Sequence, residues 1–374
     1  MGVVLMAASA QAGGFSRGTA DTDILYEDGN FNFRAGATIV MPGHEFTADP
    51  VMQAPGTSVV GSDYLDTYMI PSAAVKFKIT DNLSCAGTFT TPYGAASSYS
   101  APYGPKGTVE ETFTVAEFGG TCAAFVEMGR GRLSVLGGGF IERFSYDLAS
   151  NPIVPPFSGA PLAMELTSNA YGWRAGLGYE IPDIALRAQV MYRSATSHDA
   201  SGFATSPLFE ALGAPGGILP ATGSGELPQS VEFKLQTGIA PGWLAFGSVK
   251  WTDWSVNEQL IVSAGPVDSA NLYHWKDGWT ITGGVGHAFN ERVSGVVSLQ
   301  WDQGVSTGYD YRSEKWMLAS GVSLKDDLGG ELRLGGALVY LTSAEITGAG
   351  APDFGAAVDN GWAGILSASY KVKW

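Results

Sequence analysis

Apolar and polar positions alternate with period two at the end of this chain: Leu366, Ala368, Tyr370, Val372 and Trp374 on one face, Ser367, Ser369, Lys371 and Lys373 between them. Period two is the signature of an extended strand with two different faces. Upstream the pattern recurs. Val231, Phe233, Leu235, Thr237 and Ile239 oppose Glu232, Lys234 and Gln236; Val293, Gly295, Val297, Leu299 and Trp301 oppose Ser294, Ser298, Gln300 and Asp302. Leu332, Leu334, Leu338 and Tyr340 oppose Glu331 and Arg333. Alternation and turn chemistry together predict fourteen strands, at 32–41, 68–79, 83–91, 108–128, 132–147, 169–180, 184–196, 226–239, 243–258, 274–289, 293–302, 312–325, 331–345 and 360–374.

Short connections, such as Thr80-Asp81-Asn82, Gly129-Arg130-Gly131 and Ala240-Pro241-Gly242, alternate without exception with long ones at 42–67, 92–107, 148–168, 197–225, 259–273, 303–311 and 346–359. Tight turns on one side and long loops on the other are what outer-membrane barrels show. The expected fold is therefore all-β, a 14-stranded antiparallel transmembrane β-barrel, apolar face to lipid and polar face to the lumen. Closure leaves no strand edge unpaired in the membrane. In two strands the apolar parity slips, between Phe113-Val115 and Cys122-Val126 and between Leu133-Val135 and Phe140-Phe144, and a bulge is expected in each.

Composition agrees with strands rather than helices. Hydrophobic residues are 45% of the 374, with 51 glycines, 10 tryptophans and 15 tyrosines, yet no apolar run reaches the roughly 20 residues of a spanning helix. Every Trp falls in an expected strand, where interfacial girdles draw them. The first residues, 1–12, are apolar and close with Ala10-Gln11-Ala12, like the end of a secretory signal. No Lys or Arg precedes Arg17, so the start is read as misplaced downstream or the sequence as truncated. Residues 13–31 lack alternation. A barrel this wide is not filled by its own side chains, so they are expected to form a short N-terminal hatch, a plug inside the lumen of the barrel at 32–374.

A net charge of −15 argues against a nucleic-acid partner. Cys85 and Cys122 lie on strands that could be neighbours; a bridge in an oxidising periplasm and two small apolar residues are both open, the second favoured. The four histidines are scattered, with no metal-ligand spacing, and no nucleophile elbow or phosphate loop is present, so neither catalysis nor a cofactor is expected. Binding has more support. Parity over 274–289 aims Lys276 into the lumen near the external end, as a carboxylate partner or as a solvated pore-lining cation.

Several stretches resemble the FadL family of long-chain fatty acid transporters, including its aromatic-hydrocarbon branch: Ile70-Pro71, Asp81-Asn82, Thr91-Pro92-Tyr93-Gly94, Ile141-Glu142-Arg143-Phe144, Tyr192-Arg193-Ser194, Leu227-Pro228, Trp251-Thr252-Asp253-Trp254-Ser255 and Lys276-Asp277. The resemblance implies passive uptake of a long-chain fatty acid or other hydrophobic molecule through a barrel plugged by an N-terminal hatch. It implies a lumenal carboxylate site at Arg143 and Lys276, ligand contact by Phe15 (Gly13-Gly14-Phe15 resembles the family's Ala-Gly-Phe), and lateral release at a kink of the third strand near Gly94. The family's Asn-Pro-Ala hatch triplet has no counterpart between Phe15 and Phe33, and this hatch is shorter. Outer-membrane lipid and lipopolysaccharide are the expected surroundings of a monomer. The alternatives are an aromatic hydrocarbon channel and a general porin for small hydrophilic solutes.

Overall fold

The structure is a computed structural model, and it describes residues 13–153, 158–211, 213–265, 267–327 and 329–374. The expected signal remnant at 1–12 lies outside the described residues. Fourteen antiparallel strands form the wall: β1 (Phe31–Gly43), β2 (Tyr68–Thr80), β3 (Leu83–Tyr103), β4 (Thr108–Met128), β5 (Gly131–Ser150), β6 (Leu162–Ile181), β7 (Leu186–Arg193), β8 (Ser230–Ala240), β9 (Trp243–Thr252), β10 (Gly278–Ala288), β11 (Val293–Asp302), β12 (Lys315–Lys325), β13 (Gly330–Leu341) and β14 (Gly361–Lys373). Each pairs with its successor, and β14 returns to β1 with Ala37 opposite Ala368, so the ring closes. The backbone then satisfies itself in lipid, and the outward side chains meet hydrocarbon. Leu235, Leu299, Leu338, Leu366 and Tyr370 all point outward and exposed, as the alternation requires. Trp374 is exposed beside Phe31, with ring centroids 5.2 Å apart.

No register shift falls where the bulges in β4 and β5 are expected. Register runs unbroken from Glu110–Ala149 to Met128–Gly131, and equally along β5 and β6. Parity never changes; what changes is the medium inside. Low in the barrel Cys122 and Val126 face out, while higher up Phe113, Val115, Phe140 and Phe144 face in, where the interior has become apolar. Register shifts lie instead in β3, between Thr90 and Tyr93 and between Ser98 and Tyr103, and at the first residues of β4, between Thr108 and Glu110.

Cys85 and Cys122 form a disulfide, against the favoured sequence reading. They stand directly opposite each other on β3 and β4 with Cα atoms 4.0 Å apart. Adjacent strands were foreseeable, but the register that makes the two cysteines partners was not.

The loop at 92–107 is mostly strand, for β3 runs to Tyr103 and only four residues turn before β4. Beyond the barrel, Thr196–Thr205 pairs with the upper half of β6 and with Ile218–Leu227, which also pairs with Gln259–Ala264; Val267–Leu272 completes this extension. Lys106, in the β3–β4 turn, reaches the last strand: its Nζ donates to Ala270 O at 2.9 Å and to Asn271 Oδ1. The extension thus curls into a second wall above the barrel, packed around Met164, Leu166, Ala204 and Phe209.

Residues 13–30 lie inside the wall. Ile24 and Leu25 on the one-turn helix Thr22–Tyr26 are fully buried, and the Tyr26 hydroxyl shares a hydrogen bond of 2.7 Å with Ser134 Oγ. Three carboxylates tie the segment to cations of the wall. Asp21 and Glu27 pair with Arg34, Glu27 also with Lys371 at 3.0 Å, and Asp23 with Lys234 at 3.4 Å and Arg187 at 3.6 Å.

Candidate functional site

Phe15 sits at the centre of an aromatic cage. Its ring centroid is 4.6 Å from Phe113 on β4, 4.7 Å from Trp275, 5.6 Å from Tyr273 and 6.2 Å from Trp254. Edge-to-face and tilted pairs at these separations are favourable beyond the area they bury. Gly14 makes the approach feasible, because a β-carbon there would lie 2.6 Å from the Trp254 ring and its φ is +51°. The Trp275 Nε1 donates to Asp310 Oδ2 at 2.8 Å. Burial pushes the Asp310 carboxyl up, against the opposing pull of Arg312.

Above the cage opens a cavity of about 210 Å³ between the extension, the β3–β4 hairpin and the loop after β13. Its walls include Tyr64, Tyr99, Tyr103 and Tyr311. Tyr99 and Tyr103 stack at 4.6 Å, and the Tyr103 and Tyr311 hydroxyls bond to each other, so that these last two hydroxyls are engaged. A second cavity of about 110 Å³ lies deeper, against Met317, Val339 and Ile365. The two share Leu65, Ala95, Ala96 and Arg312 as lining.

Cations collect at that junction. Arg312 lies 5.4 Å over the Phe15 ring, Arg17 lies 4.0 Å over the Tyr68 ring, and Lys315 lines the deeper cavity with both. Among the described residues none of the three makes an ion pair with a carboxylate within 4.0 Å, whereas Arg174 and Arg193 below are engaged by Glu117 and Glu142.

The deeper cavity adjoins the place where the wall is weakest. Pairing of β2 with β3 ends at Ser72–Thr90; beyond it β3 bends through Thr91-Pro92, and Pro92 has no amide to donate. The N-terminal segment supplies the missing neighbour. Arg17 N donates to Pro92 O at 2.7 Å, Gly18 N to Thr91 O at 2.9 Å, and Gly94 N to Phe15 O at 3.0 Å.

A model of the family described as "Outer membrane protein transport protein (OMPP1/FadL/TodX)" matches residues 25–295. The chain belongs to this family. This FadL/TodX-family barrel is accordingly a transport protein of the outer membrane. It is 26% identical over 302 residues to the long-chain fatty acid transport protein of Salmonella typhi, covering 72% of this chain and 67% of that one. The Escherichia coli K12 protein of the same name is 24% identical over 309 residues, covering 72% and 68%. Among solved structures, a Pseudomonas aeruginosa FadL homologue superposes with a TM-score of 0.76 at 14% identity, over 94% of this chain and 91% of that one. The Pseudomonas putida toluene transporter TodX gives 0.69 at 12% identity, over 97% and 95%.

Within this FadL-family barrel the sequence candidates fare differently. Phe15 lies in the cage and lines the upper cavity, and Gly94 lies at the β3 bend, its amide bonded to Phe15 O. Arg143 does not reach the lumen. The unbroken register of β5 aims Glu142 inward, fully buried, and Arg143 outward, where its guanidinium stands 5.9 Å over the exposed Phe118 ring. Lys276 is also exposed, and Trp275 takes the inward place. Strand parity fails there because β10 begins only at Gly278 and His274 adopts a left-handed φ of +44°. The structure therefore does not bring Arg143 and Lys276 together at the cavity. The cations that do meet there escape a reading by periodicity, since Arg17 precedes the first strand and Arg312 sits in a loop, where no alternation fixes direction.

Proposed function

We propose that the protein takes up long-chain fatty acids or related hydrophobic molecules passively, by lumenal binding, hatch movement and lateral release. The observation that carries this reading is the pair of cavities that share Leu65, Ala95, Ala96 and Arg312: the upper is walled by tyrosines, and the lower combines Met317, Val339 and Ile365 with Asp66, Asp302 and three cations that make no ion pair among the described residues. An alkyl tail gains about 0.8 kcal/mol for each CH₂ it buries, and a carboxylate head finds Arg312, Arg17 and Lys315. The deeper cavity ends at the parted strands β2 and β3, so a hatch that lets go of Thr91, Pro92 and Gly94 opens a route sideways into lipid. The chemistry supports transport without catalysis.

The test is equilibrium binding of labelled oleate to the detergent-solubilised protein. Replacing Arg312 and Lys315 together by Ala is expected to weaken binding at least tenfold, whereas Arg143→Ala and Lys276→Ala leave it unchanged. Equal affinity of the double variant and the parent would reject the site. The tyrosine-rich upper chamber favours one second reading, uptake of uncharged aromatic hydrocarbons. In that case toluene permeation survives loss of the cations. The filled lumen opposes a general porin, for which planar bilayers would show a steady large current.

A further inference from the structure

The lower cavity is lined from two bodies. Arg312 and Lys315 belong to the wall and its loops, whereas Gly14, Ser16 and Arg17 belong to the segment that lies inside the wall. Arg17 is only 5% exposed, and its Nε and Nη2 are buried without a hydrogen-bond partner among the described residues. Those two nitrogens share one edge of the guanidinium, the kind of edge on which a carboxylate makes two parallel bonds. The Tyr68 ring, its centroid 4.0 Å from Arg17 Cζ, covers a face of the group and leaves that edge unmet. A buried cation short of two acceptors is costly, because the water it gave up has not been replaced.

The carboxylates that line the same cavity accept bonds elsewhere. Asp66 Oδ2 accepts from Ser98 Oγ at 2.8 Å, and Asp302 accepts from Gly304 N at 3.1 Å and from Thr280 Oγ1 at 3.0 Å. Neither forms an ion pair with Arg17 within 4.0 Å among the described residues. The backbone holds Arg17 where it is. Its amide and that of Gly18 are bonded to Pro92 O and Thr91 O, and a β-carbon at Gly18 would collide with Thr90 Oγ1 and stand 2.9 Å from Ile70 Cγ2. The guanidinium and the grip of the segment on β3 therefore move as one unit.

We propose that Arg17 makes the N-terminal segment one jaw of the carboxylate site, so that a bound acid holds the hatch in place and an uncharged hydrophobic molecule does not. This rests on the transport reading above and adds its regulation. A ligand stabilises whichever state it binds more tightly. With the segment seated, a carboxylate is gripped by Arg17 together with Arg312 and Lys315; with the segment withdrawn from β3, only the wall cations remain. By reciprocity, the seated segment raises affinity for the acid by the same factor as the acid raises the hold of the segment. An acid then departs only after its head lets go of Arg17, while a molecule without a charged head passes whenever the segment moves.

The experiment is hydrogen exchange at fixed pH, read on the peptide that carries the Arg17 and Gly18 amides, in the full detergent-solubilised chain. Oleate at about 100 times its measured Kd is expected to slow exchange there about tenfold or more, the ceiling being about 100-fold for a ligand with no affinity for the open state. Oleyl alcohol at the same concentration, equal in length but uncharged, is expected to change it by less than about twofold. This comparison needs no variant. In Arg17→Gln, with oleate scaled to the Kd of that variant, protection falls below about twofold, and Arg17→Lys recovers part of it. Arg312→Ala with Lys315→Ala, saturated in the same way, keeps it. Oleate that binds yet leaves exchange unchanged or speeds it overturns the proposal. So does equal protection by acid and alcohol, protection that survives in Arg17→Gln, or protection lost with the wall cations alone. If oleate does not bind the parent protein, the transport reading fails and the proposal falls with it.

Discussion

Arg17 crosses directly over Gly94: a β-carbon at position 94 would stand 2.7 Å from the Arg17 Cζ and from its Nη1. The bend of β3 and the path of the hatch are therefore fitted to each other through a missing side chain. Gly94→Ala is expected to push Arg17 off the Tyr68 ring and to weaken the bond from Gly94 N to Phe15 O, an overpacking effect of about 1–3 kcal/mol. Planar-bilayer recordings should then show brief openings that the parent lacks. Adding Arg17→Ala should suppress them, because the clash is gone. Openings that are as frequent in the double variant would disprove the fit.

Glu27 holds the lower end of the same segment. Its carboxylate pairs with Arg34 and Lys371 and stands 3.9 Å from Arg333, and all of these groups are buried or nearly so. Removing one partner of a buried pair leaves uncompensated charge and typically costs about 3–5 kcal/mol. Glu27→Gln is therefore expected to loosen the hatch without unfolding the barrel, which retains its closed ladder. Limited proteolysis should cut residues 13–30 faster in this variant, with the heat-resistant band on a gel unchanged. Protection equal to that of the parent would show that the hatch is held mainly by Ile24, Leu25 and Tyr26.

Asp353 makes the external loop sensitive to pH. Burial raises its carboxyl from the ordinary carboxylate range to about 6, so the folded loop holds a proton more tightly than the unfolded chain does. The stabilisation is then complete below the unfolded value and is lost as pH rises through about 6. Hydrogen-exchange protection of residues 348–356, corrected for intrinsic rates, should be higher at pH 5 than at pH 7. Asp353→Asn should abolish the difference. An opposite slope would place the carboxylate in a charge-stabilising environment.

The barrel was legible because lipid enforces a strict alternation, and Leu235, Leu299 or Leu366 can satisfy it in only one register. Legibility ended where that constraint ends. Ala95, Ala96, Ser97 and Ser98 continue β3 upward, but a run of small residues without alternation resembles a loop. The inward turn of Phe113 and Phe144 resembled a bulge because the sequence does not show where a polar lumen gives way to an apolar chamber. Arg143 and Lys276 were matched by motif, and one register step or one left-handed residue sufficed to move them out of the site. Phe15 and Gly94 lie beside the cavities because the N-terminal segment and the β3 bend are held to each other by backbone hydrogen bonds.

The lengths of β4, β5 and β6 set the height at which ligand is captured. At roughly 3.3 Å per residue and a tilt of about 40°, their 20 or 21 residues rise about 50 Å, twice the apolar band of about 25 Å that an outer-membrane barrel presents. The tyrosine chamber therefore stands clear of the bilayer like the head of a well. Its catch arrives from water, and only departure involves the lipid phase, so thinning or thickening the membrane should alter how fast cargo leaves and not how tightly it is first held.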